Sequence, residues 1–383
     1  MANAVEAVFS VRQGNFILHR VPRQARDLLR AWDAADEYLL DYLAEHALPE
    51  SGSRVLIVND SFGALALALH DHHPEVQSDS YLSQQATCLN LAANRLSESL
   101  IAFSSSLSEL NGVFDLVLIK VPKTLALLEY QLIRLAPHLS AASQVIVAGM
   151  IKALSPSLWT VLETIIGSTT TALAKKKARL IFALPEPGRL VPANPYPVHY
   201  RLENSDLLIS NHANVFSRDR LDIGTRFFLQ HLPTKTGAKD IVDLGCGNGL
   251  LGLVAAQRNP NAVLHFIDES YMAIASAQDN FQRAFGQTRV ATFVLGDGLM
   301  KFASASADLI LCNPPFHQQN SLSDQTALSM FKQSKRVLRP GGELWVIGNR
   351  HLNYHRCLAR LFGGYTLIAS NAKFVIIKVS QAG

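Results

Sequence analysis

Two short turns carry the residue types that chemistry needs. Val242-Asp243-Leu244-Gly245-Cys246-Gly247-Asn248-Gly249 follows one apolar run, and Asn313-Pro314-Pro315-Phe316-His317 follows another. In the first, Gly245, Gly247 and Gly249 permit a tight turn and a close backbone approach to a ligand. A dinucleotide-binding turn reads G-x-G-x-x-G, but its third glycine falls on Leu250, so that fingerprint fails. Asp243 would repel a pyrophosphate and suits a ligand bearing an ammonium group. Asp268 ends the next predicted strand, where a carboxylate accepts from ribose hydroxyls, and Asp297 ends the third, where it receives an adenine amino group. Each aspartate alone reads as a helix cap. Three acidic strand ends after a glycine turn call for an aminoacyl tail, a ribose and an adenine, which together describe S-adenosylmethionine.

In the second turn, two adjacent prolines fix the backbone and remove two N–H donors. The Asn313 side-chain oxygen and the Pro314 carbonyl can then accept from a planar amino group. Phe316 offers a face for a flat ring, a contact worth ~1–3 kcal/mol per base in nucleic-acid sites. The expected reaction is in-line methyl transfer to an amino nitrogen, accelerated mainly by positioning and needing no dedicated base. His317 has three readings that the residues leave open: proton relay, RNA contact, or a structural cap of the loop.

These turns need a scaffold, and its pattern is visible around them. Strands are expected at Asp240–Leu244, Ala262–Ile267, Arg289–Leu295, Ala307–Cys312, Glu343–Gly348, Tyr365–Ser370 and Phe374–Val379, with a turn at Arg339–Gly342. Helices are expected at Leu250–Arg258, Met272–Phe285 and Thr326–Val337. Alternating short strands and helices predict an α/β fold with a parallel sheet covered on both faces and an antiparallel pair at its end. Upstream, Tyr200–Phe216 reads as a β-hairpin leading into a helix at Leu221–Leu232.

The first half repeats the theme, with strands expected at Arg54–Val58, Phe114–Lys120 and Gln144–Gly149 and helices at Ala64–His70 and Leu125–Leu135. Ile241–Gly249 aligns with Val55–Gly63, and Asp308–Phe316 with Asp115–Lys123, in the same order and at similar offsets. One fold used twice is the expectation. Five of the sixteen prolines lie in Leu184–His199, which predicts an extended linker. The expected domains are 1–184, the linker 185–199, and 200–383.

The combination of the two turns resembles the class I S-adenosylmethionine-dependent methyltransferases that act on ribosomal RNA guanine N2. Similarity extends to Ala31–Leu40, Asn211–Arg218, Leu221–Gly224, Asn349–Leu352 and Lys373–Val375, and so spans nearly the whole chain. The resemblance is to the family's 23S rRNA enzymes, with 16S rRNA enzymes as near relatives. It implies two tandem Rossmann-like domains, the N-terminal one degenerate and the C-terminal one binding the cofactor. It also implies that Phe216–Gly224 closes over the cofactor, with Phe216 and Gly224 counted among the cofactor-binding residues; Arg350 and His317 are candidates for contact with RNA. In the first half Asp243 is replaced by Ile57, Gly245 by Asn59, Gly247 by Ser61, Asn313 by Lys120 and Phe316 by Lys123. Such a domain cannot run the reaction, and Lys120 and Lys123 are candidates for RNA phosphates, as are Lys175, Lys176 and Lys177, with solvated turns the plainer reading of each cluster.

Composition bounds the rest. Among 383 residues, 48% are hydrophobic and 17% charged, which excludes a disordered polyelectrolyte. The net charge of +4 is uneven: residues 1–189 carry 16 Lys+Arg against 18 Asp+Glu, whereas 190–383 carry 19 against 13. The catalytic half is the basic one. Cys88, Cys246, Cys312 and Cys357 stand far apart, which predicts no disulfide, no metal and a reducing, cytoplasmic setting. No apolar run reaches the ~18–20 residues of a membrane span, and Glu6, Arg12 and Gln13 interrupt any secretory leader. Oligomeric state is left open, a monomer being the simpler expectation. Rival substrates for the same turn are adenine N6 of DNA and a protein glutamine; rival classes are a non-catalytic RNA-binding protein and a nicotinamide-dependent oxidoreductase.

Overall fold

The computed structural model describes residues 7–21, 29–47, 52–235, 237–315 and 321–382. They divide into two compact units, Met1–Pro195 and Tyr196–Gly383.

In the second unit, alternate strand residues point to opposite faces. Ile241, Leu309, Leu311 and Ile347 pack on one side, and Val242, Leu244, Ile310 and Val346 on the other. Each fully buried aliphatic side chain contributes about 1.5–3 kcal/mol, so both faces demand cover. Helices Leu250–Arg258 and Tyr271–Phe285 lie on the first face and Ser321–Val337 on the second. The seven strands are Asp240–Leu244, Val263–Asp268, Ala291–Leu295, Ala307–Cys312, Leu338–Asn349, Thr366–Ser370 and Phe374–Ser380. Counted in chain order within the sheet they lie 3-2-1-4-5-7-6, with only the last antiparallel to its neighbours. The order reverses between the first and fourth strands, where open α/β sheets leave a crevice at the carboxyl ends.

The first unit has the same order and the same registers. Its strands Val55–Val58, Glu75–Ser78, Ala102–Ser105, Leu116–Lys120, Gln144–Met150, Thr169–Thr171 and Ala178–Ala183 again lie 3-2-1-4-5-7-6. Val58 faces Ile119 as Leu244 faces Cys312, the partners that the aligned turns equate. Val58 also faces Gln77 as Leu244 faces Ile267, and Ser78 faces Ser105 as Asp268 faces Leu295. Two seven-stranded α/β sheets of identical order are thus built from one chain.

Three expectations need correction. Arg339–Gly342 is no separate turn but a register shift inside the long strand Leu338–Asn349, with Gly341 at φ +74°. The helix expected from Thr326 starts at Ser321, because its polar first turn carries no apolar period. The linker is not extended throughout. Leu184 and Glu186 donate backbone hydrogen bonds to Ser168 and Ile166, so its start is an edge of the first unit, where Pro185 and Pro187 need no donors. Its end, Val198 and His199, already pairs with Asn211 and Ser210 in the hairpin.

Candidate active site

Both chemically loaded turns stand at the carboxyl ends of adjacent strands. Asp243 is buried at the end of the first strand, on the same sheet face as Ile241. Its Oδ2 accepts from the Gly252 backbone N–H at 2.7 Å, while its buried Oδ1 has no partner among the described residues. Burial, with Asp268 nearby adding to it, pushes the carboxyl up to about 8. A buried acceptor without a donor costs about 1–3 kcal/mol, a cost that a cationic ligand would remove. The residues therefore fit the ammonium end of S-adenosylmethionine.

The turn beyond Asp243 is shaped by three backbone bonds. Gly245 and Cys246 both donate to the Ile267 carbonyl, and Gly247 donates to Asp268 Oδ2 at 2.9 Å. Gly245 and Gly247 hold φ of +71° and +53°, a region that disfavours a side chain. Around the position of a Gly247 Cβ there is nothing within 4 Å, so the backbone itself is the accessible surface there. Asp268 is fixed by Gly247 and by Ser270 N–H at 3.0 Å, and Asp297 is half-buried, its carboxyl raised by desolvation. Gly249, which turns at φ +77°, and Gly224 are also hemmed in by protein atoms. A Cβ on Gly249 would strike Ala277 at 2.9 Å, and one on Gly224 would meet Asp222 Oδ2 and the Phe374 ring at 2.9 and 3.1 Å. Protein packing alone already asks for glycine at both positions. Phe216, expected in a closing segment, leaves 60% of its surface exposed.

Asn313 follows the fourth strand on the face of Leu309 and Leu311, the face that also carries Asp243. Its Nδ2 donates to Thr225 Oγ1 at 3.2 Å, and its buried Oδ1 has no partner among the described residues. Pro314 is buried beside it and Pro315 exposed. Phe316 and His317 lie outside the described residues. Thiol chemistry has no place here: burial raises the Cys246 and Cys312 thiols far above their ordinary range.

The sequence reading missed the polar residues that hold these turns. Asp222 caps the helix Ile223–His231 by accepting from Thr225 N–H at 2.8 Å, and Thr225 reaches Asn313. The Asp-x-x-Thr spacing before an apolar run was a readable cap signal. Asn248 donates to Asn211 Oδ1 at 2.9 Å, and Asn280 donates to the carbonyls of Ser210 and Asn248. This buried network ties the hairpin of Val198–Arg201 and Leu208–Asn211 to the glycine turn.

In the first unit several of the equivalent positions are satisfied internally, although Gln77 Nε2 and Ser104 Oγ nearby are buried without a partner among the described residues. Asn59, in the place of Gly245, donates to the Lys120 carbonyl and exchanges amide bonds with Gln131 at 2.9 and 2.8 Å. Asp60 accepts from the backbone N–H groups of Gly63, Ala64, Leu65 and Ala66. Ser78 replaces Asp268 in the register, and Leu107 stands where Asp297 stands. Lys120 requires a correction. Its ammonium lies 2.6 Å from Asp36 Oδ1 and 2.9 Å from Asp33 Oδ1, with 14% of the side chain exposed, so it is spent on an internal ion pair and not offered to phosphate. Burial opposes its charge, but the two carboxylates hold its pKa above the ordinary lysine value. Lys175 and Lys176 are likewise paired, with Asp41 at 2.8 Å and Glu37 at 2.7 Å, which cancels part of the field expected from that turn. Lys177 and Lys123 are exposed. Arg350 is exposed at the carboxyl end of the fifth strand and donates to the Asn371 carbonyl.

Among the described residues, no cluster of His, Cys, Asp and Glu could hold a metal, and no helix is long and apolar enough to cross a membrane. Strand order and crevice define a class I methyltransferase fold, carried twice in one chain, with the acid-lined glycine turn in the second unit alone. Comparison with known proteins agrees. Residues 6–187 match the RLMG N-terminal domain and residues 206–378 the methyltransferase small domain. The chain is 49% identical over 375 residues to the ribosomal RNA large subunit methyltransferase G of Ectopseudomonas mendocina (strain ymp), covering 98% of this chain and 100% of that one. It is 48% identical over 370 residues to the protein of the same name from Streptomyces avermitilis, covering 95% and 97%. Its fold matches a T. thermophilus 16S rRNA N2 guanine methyltransferase (RsmC), solved with AdoMet and guanosine, at a TM-score of 0.75 and 19% identity over 98% of this chain and 97% of that one. The chain belongs to the ribosomal RNA large subunit methyltransferase G family.

Proposed function

We propose that this protein transfers a methyl group from S-adenosylmethionine to the exocyclic N2 amine of a specific guanine in 23S rRNA, in the cytoplasm. One observation carries the reading: two buried acceptors, Asp243 Oδ1 and Asn313 Oδ1, have no partner among the described residues and share one sheet face at the switch point. Asp243 holds the ammonium end of the cofactor, Asp268 the ribose and Asp297 the adenine amine, with the Gly245–Gly247 backbone against the aminoacyl tail. The bound cofactor supplies an electrophilic methyl group on a sulfonium. Asn313 Oδ1 and the Pro314 carbonyl accept the two hydrogens of the guanine N2 amine and turn its lone pair toward that methyl group. Phe316 stacks on the base. Fixing a planar amine in line replaces an improbable encounter with a held one, the kind of gain that positioning delivers. The amine proton leaves to solvent after attack, and the buried, high-pKa thiols take no part. A base within a helix must first be extruded, at a cost of a few kcal/mol, and exposed cations such as Lys123, Lys177 and Arg350 offset it by holding phosphates.

Family membership favours 23S rRNA over 16S rRNA. The test is incubation with methyl-labelled cofactor and separated 23S rRNA, 16S rRNA, DNA and protein, followed by mapping of the modified nucleotide. Label in guanine N2 of 23S rRNA is the expected result. Label confined to 16S rRNA, to adenine of DNA or to protein overturns the substrate assignment.

A further inference from the structure

We propose that Thr225, anchored by Asp222, is a positioning residue that sets the orientation of the Asn313 amide. An asparagine amide has a donor end and an acceptor end of nearly the same shape, and methylation as read above needs the acceptor facing the substrate. Something must therefore forbid the flipped state. Thr225 Oγ1 lies 3.2 Å from Asn313 Nδ2 and 3.3 Å from Asp222 Oδ2. The carboxylate can only accept, so the threonine hydrogen goes to Asp222 and its lone pairs face Asn313. A flipped amide would set its oxygen against a hydroxyl with no hydrogen left to give, two acceptors at contact distance in a buried place. Nδ2 is thereby held on Thr225, and Oδ1 stays turned away from it, buried and without a partner among the described residues.

The anchor is itself rigid. Asp222 Oδ2 also accepts from the Thr225 backbone N–H at 2.8 Å, so the helix cap and the hydroxyl are held by one carboxylate oxygen. Gly224 lets that carboxylate and the Phe374 ring pack against the helix start. The first unit carries a counterpart. There Asp33 caps the helix Ala34–Glu45, and Asp36, three residues after the cap as Thr225 is after Asp222, reaches the residue that ends the fourth strand. The contact between helix start and fourth-strand end is common to both sheets. Only its chemistry differs: neutral and orienting in one, an ion pair in the other.

This inference rests on the reading of Asn313 as the amine acceptor, and its test separates the two. Single-turnover methylation and cofactor affinity are measured for Thr225→Val, Thr225→Ala, Thr225→Ser and Asn313→Ala, with thermal melts of each. Valine keeps the shape and removes the acceptor; it is expected to lower the single-turnover rate constant by about tenfold or more, with the cofactor Kd changed by less than about twofold. Serine restores the hydroxyl and is expected to restore most of the rate. Should the valine variant fail to fold, the contrast between alanine and serine decides. Full turnover in Thr225→Val or Thr225→Ala, with Asn313→Ala inactive, overturns the orienting role alone. Equal losses in the serine and valine variants, or a loss confined to cofactor binding, also overturn it. Full turnover in Asn313→Ala overturns the underlying site reading.

Discussion

The two halves of this chain share strand order, register and the helix-to-strand contact beside the fourth strand, yet differ in what their polar groups face. In the second half, Asp243 Oδ1 and Asn313 Oδ1 are buried acceptors with no partner among the described residues. In the first, the corresponding end of the sheet is filled by its own side chains: Asn59 with Gln131, Asp60 on four backbone N–H groups, and Lys120 on Asp33 and Asp36. Buried polar groups left unpaired are costly, and both halves hold some, Gln77 Nε2 and Ser104 Oγ in the first among them; Asp243 and Asn313 stand out because both are acceptors on one sheet face at the switch point. The difference teaches where the function lies.

The largest expected effect tests the satisfied side. Lys120→Met removes the cation between two carboxylates, one of them buried, and leaves Asp36 without compensation. Breaking a buried pair in this way costs about 3 kcal/mol or more, a fall of about 6–12 °C in the melting of a unit of this size. The sign of the pH dependence follows from Asp36, whose carboxyl burial already raises to about 6. A carboxyl raised in the folded state penalises folding above its unfolded pKa, and acidification relieves that penalty. The deficit should therefore shrink as pH falls from 7.5 to 5. Methylation of RNA by the folded variant should be unchanged, as should the salt dependence of RNA binding. A weaker salt dependence in Lys120→Met would return Lys120 to the RNA interface and contradict the ion pair as its role.

On the unsatisfied side, the prediction is a proton coupled to the cofactor. Asp243 has its carboxyl raised to about 8, first by burial and then by Asp268. The cofactor's ammonium pairs with the ionised form, so binding below pH 8 must expel a proton. Affinity should fall by about tenfold per unit as pH drops from 7.5 to 6. Titration calorimetry in buffers of different ionisation enthalpy would show close to one proton released. Asp243→Asn should bind weakly and lose the pH dependence. A wild-type affinity that stays flat across this range would remove Asp243 as the ammonium partner.

Much of this contrast was legible in the residues, but in the first half the apolar strand Ala178–Ala183 and the helices Ala34–Glu45, Tyr81–Ala93 and Pro156–Ile165 went unread as well as shorter, polar pieces. The strands Asp240–Leu244 and Ala307–Cys312 and the helix Leu250–Arg258 read out of the chain to their last residue, because both sheet faces are buried and, apart from Asp240, Asp243 and Asp308, the strand positions are apolar. In the first half, Glu75–Ser78 and Ala102–Ser105 passed unread: four residues each, polar, and paired into the sheet by register more than by hydrophobicity. The glycine turn and its aspartates were visible as types and spacing. What the chain could not display was partnership across a hundred residues. Lys120 looked like an offered cation until Asp33 and Asp36 were placed against it, and Thr225 looked like nothing until it met Asn313 from 88 positions away.

The smallest expected effect asks what the self-satisfied half still does. Its cations now sort into two groups. Lys175 and Lys176 sit on Asp41 and Glu37 of one helix, and a cation already facing a carboxylate releases fewer counterions when it meets a phosphate. Lys177 and Lys123 are exposed at their turns, so of the cations proposed to hold RNA in this half they are the ones to test. Each phosphate contact adds about 0.7–0.9 to the slope of log affinity against log salt. Lys123→Ala and Lys177→Ala should each reduce that slope by about this amount, whereas Lys175→Ala should reduce it less. Cofactor affinity should be the same in all three, since the glycine turn belongs to the other unit. Slopes indistinguishable from wild type in both Lys123→Ala and Lys177→Ala would deny this half the phosphate contacts proposed for it.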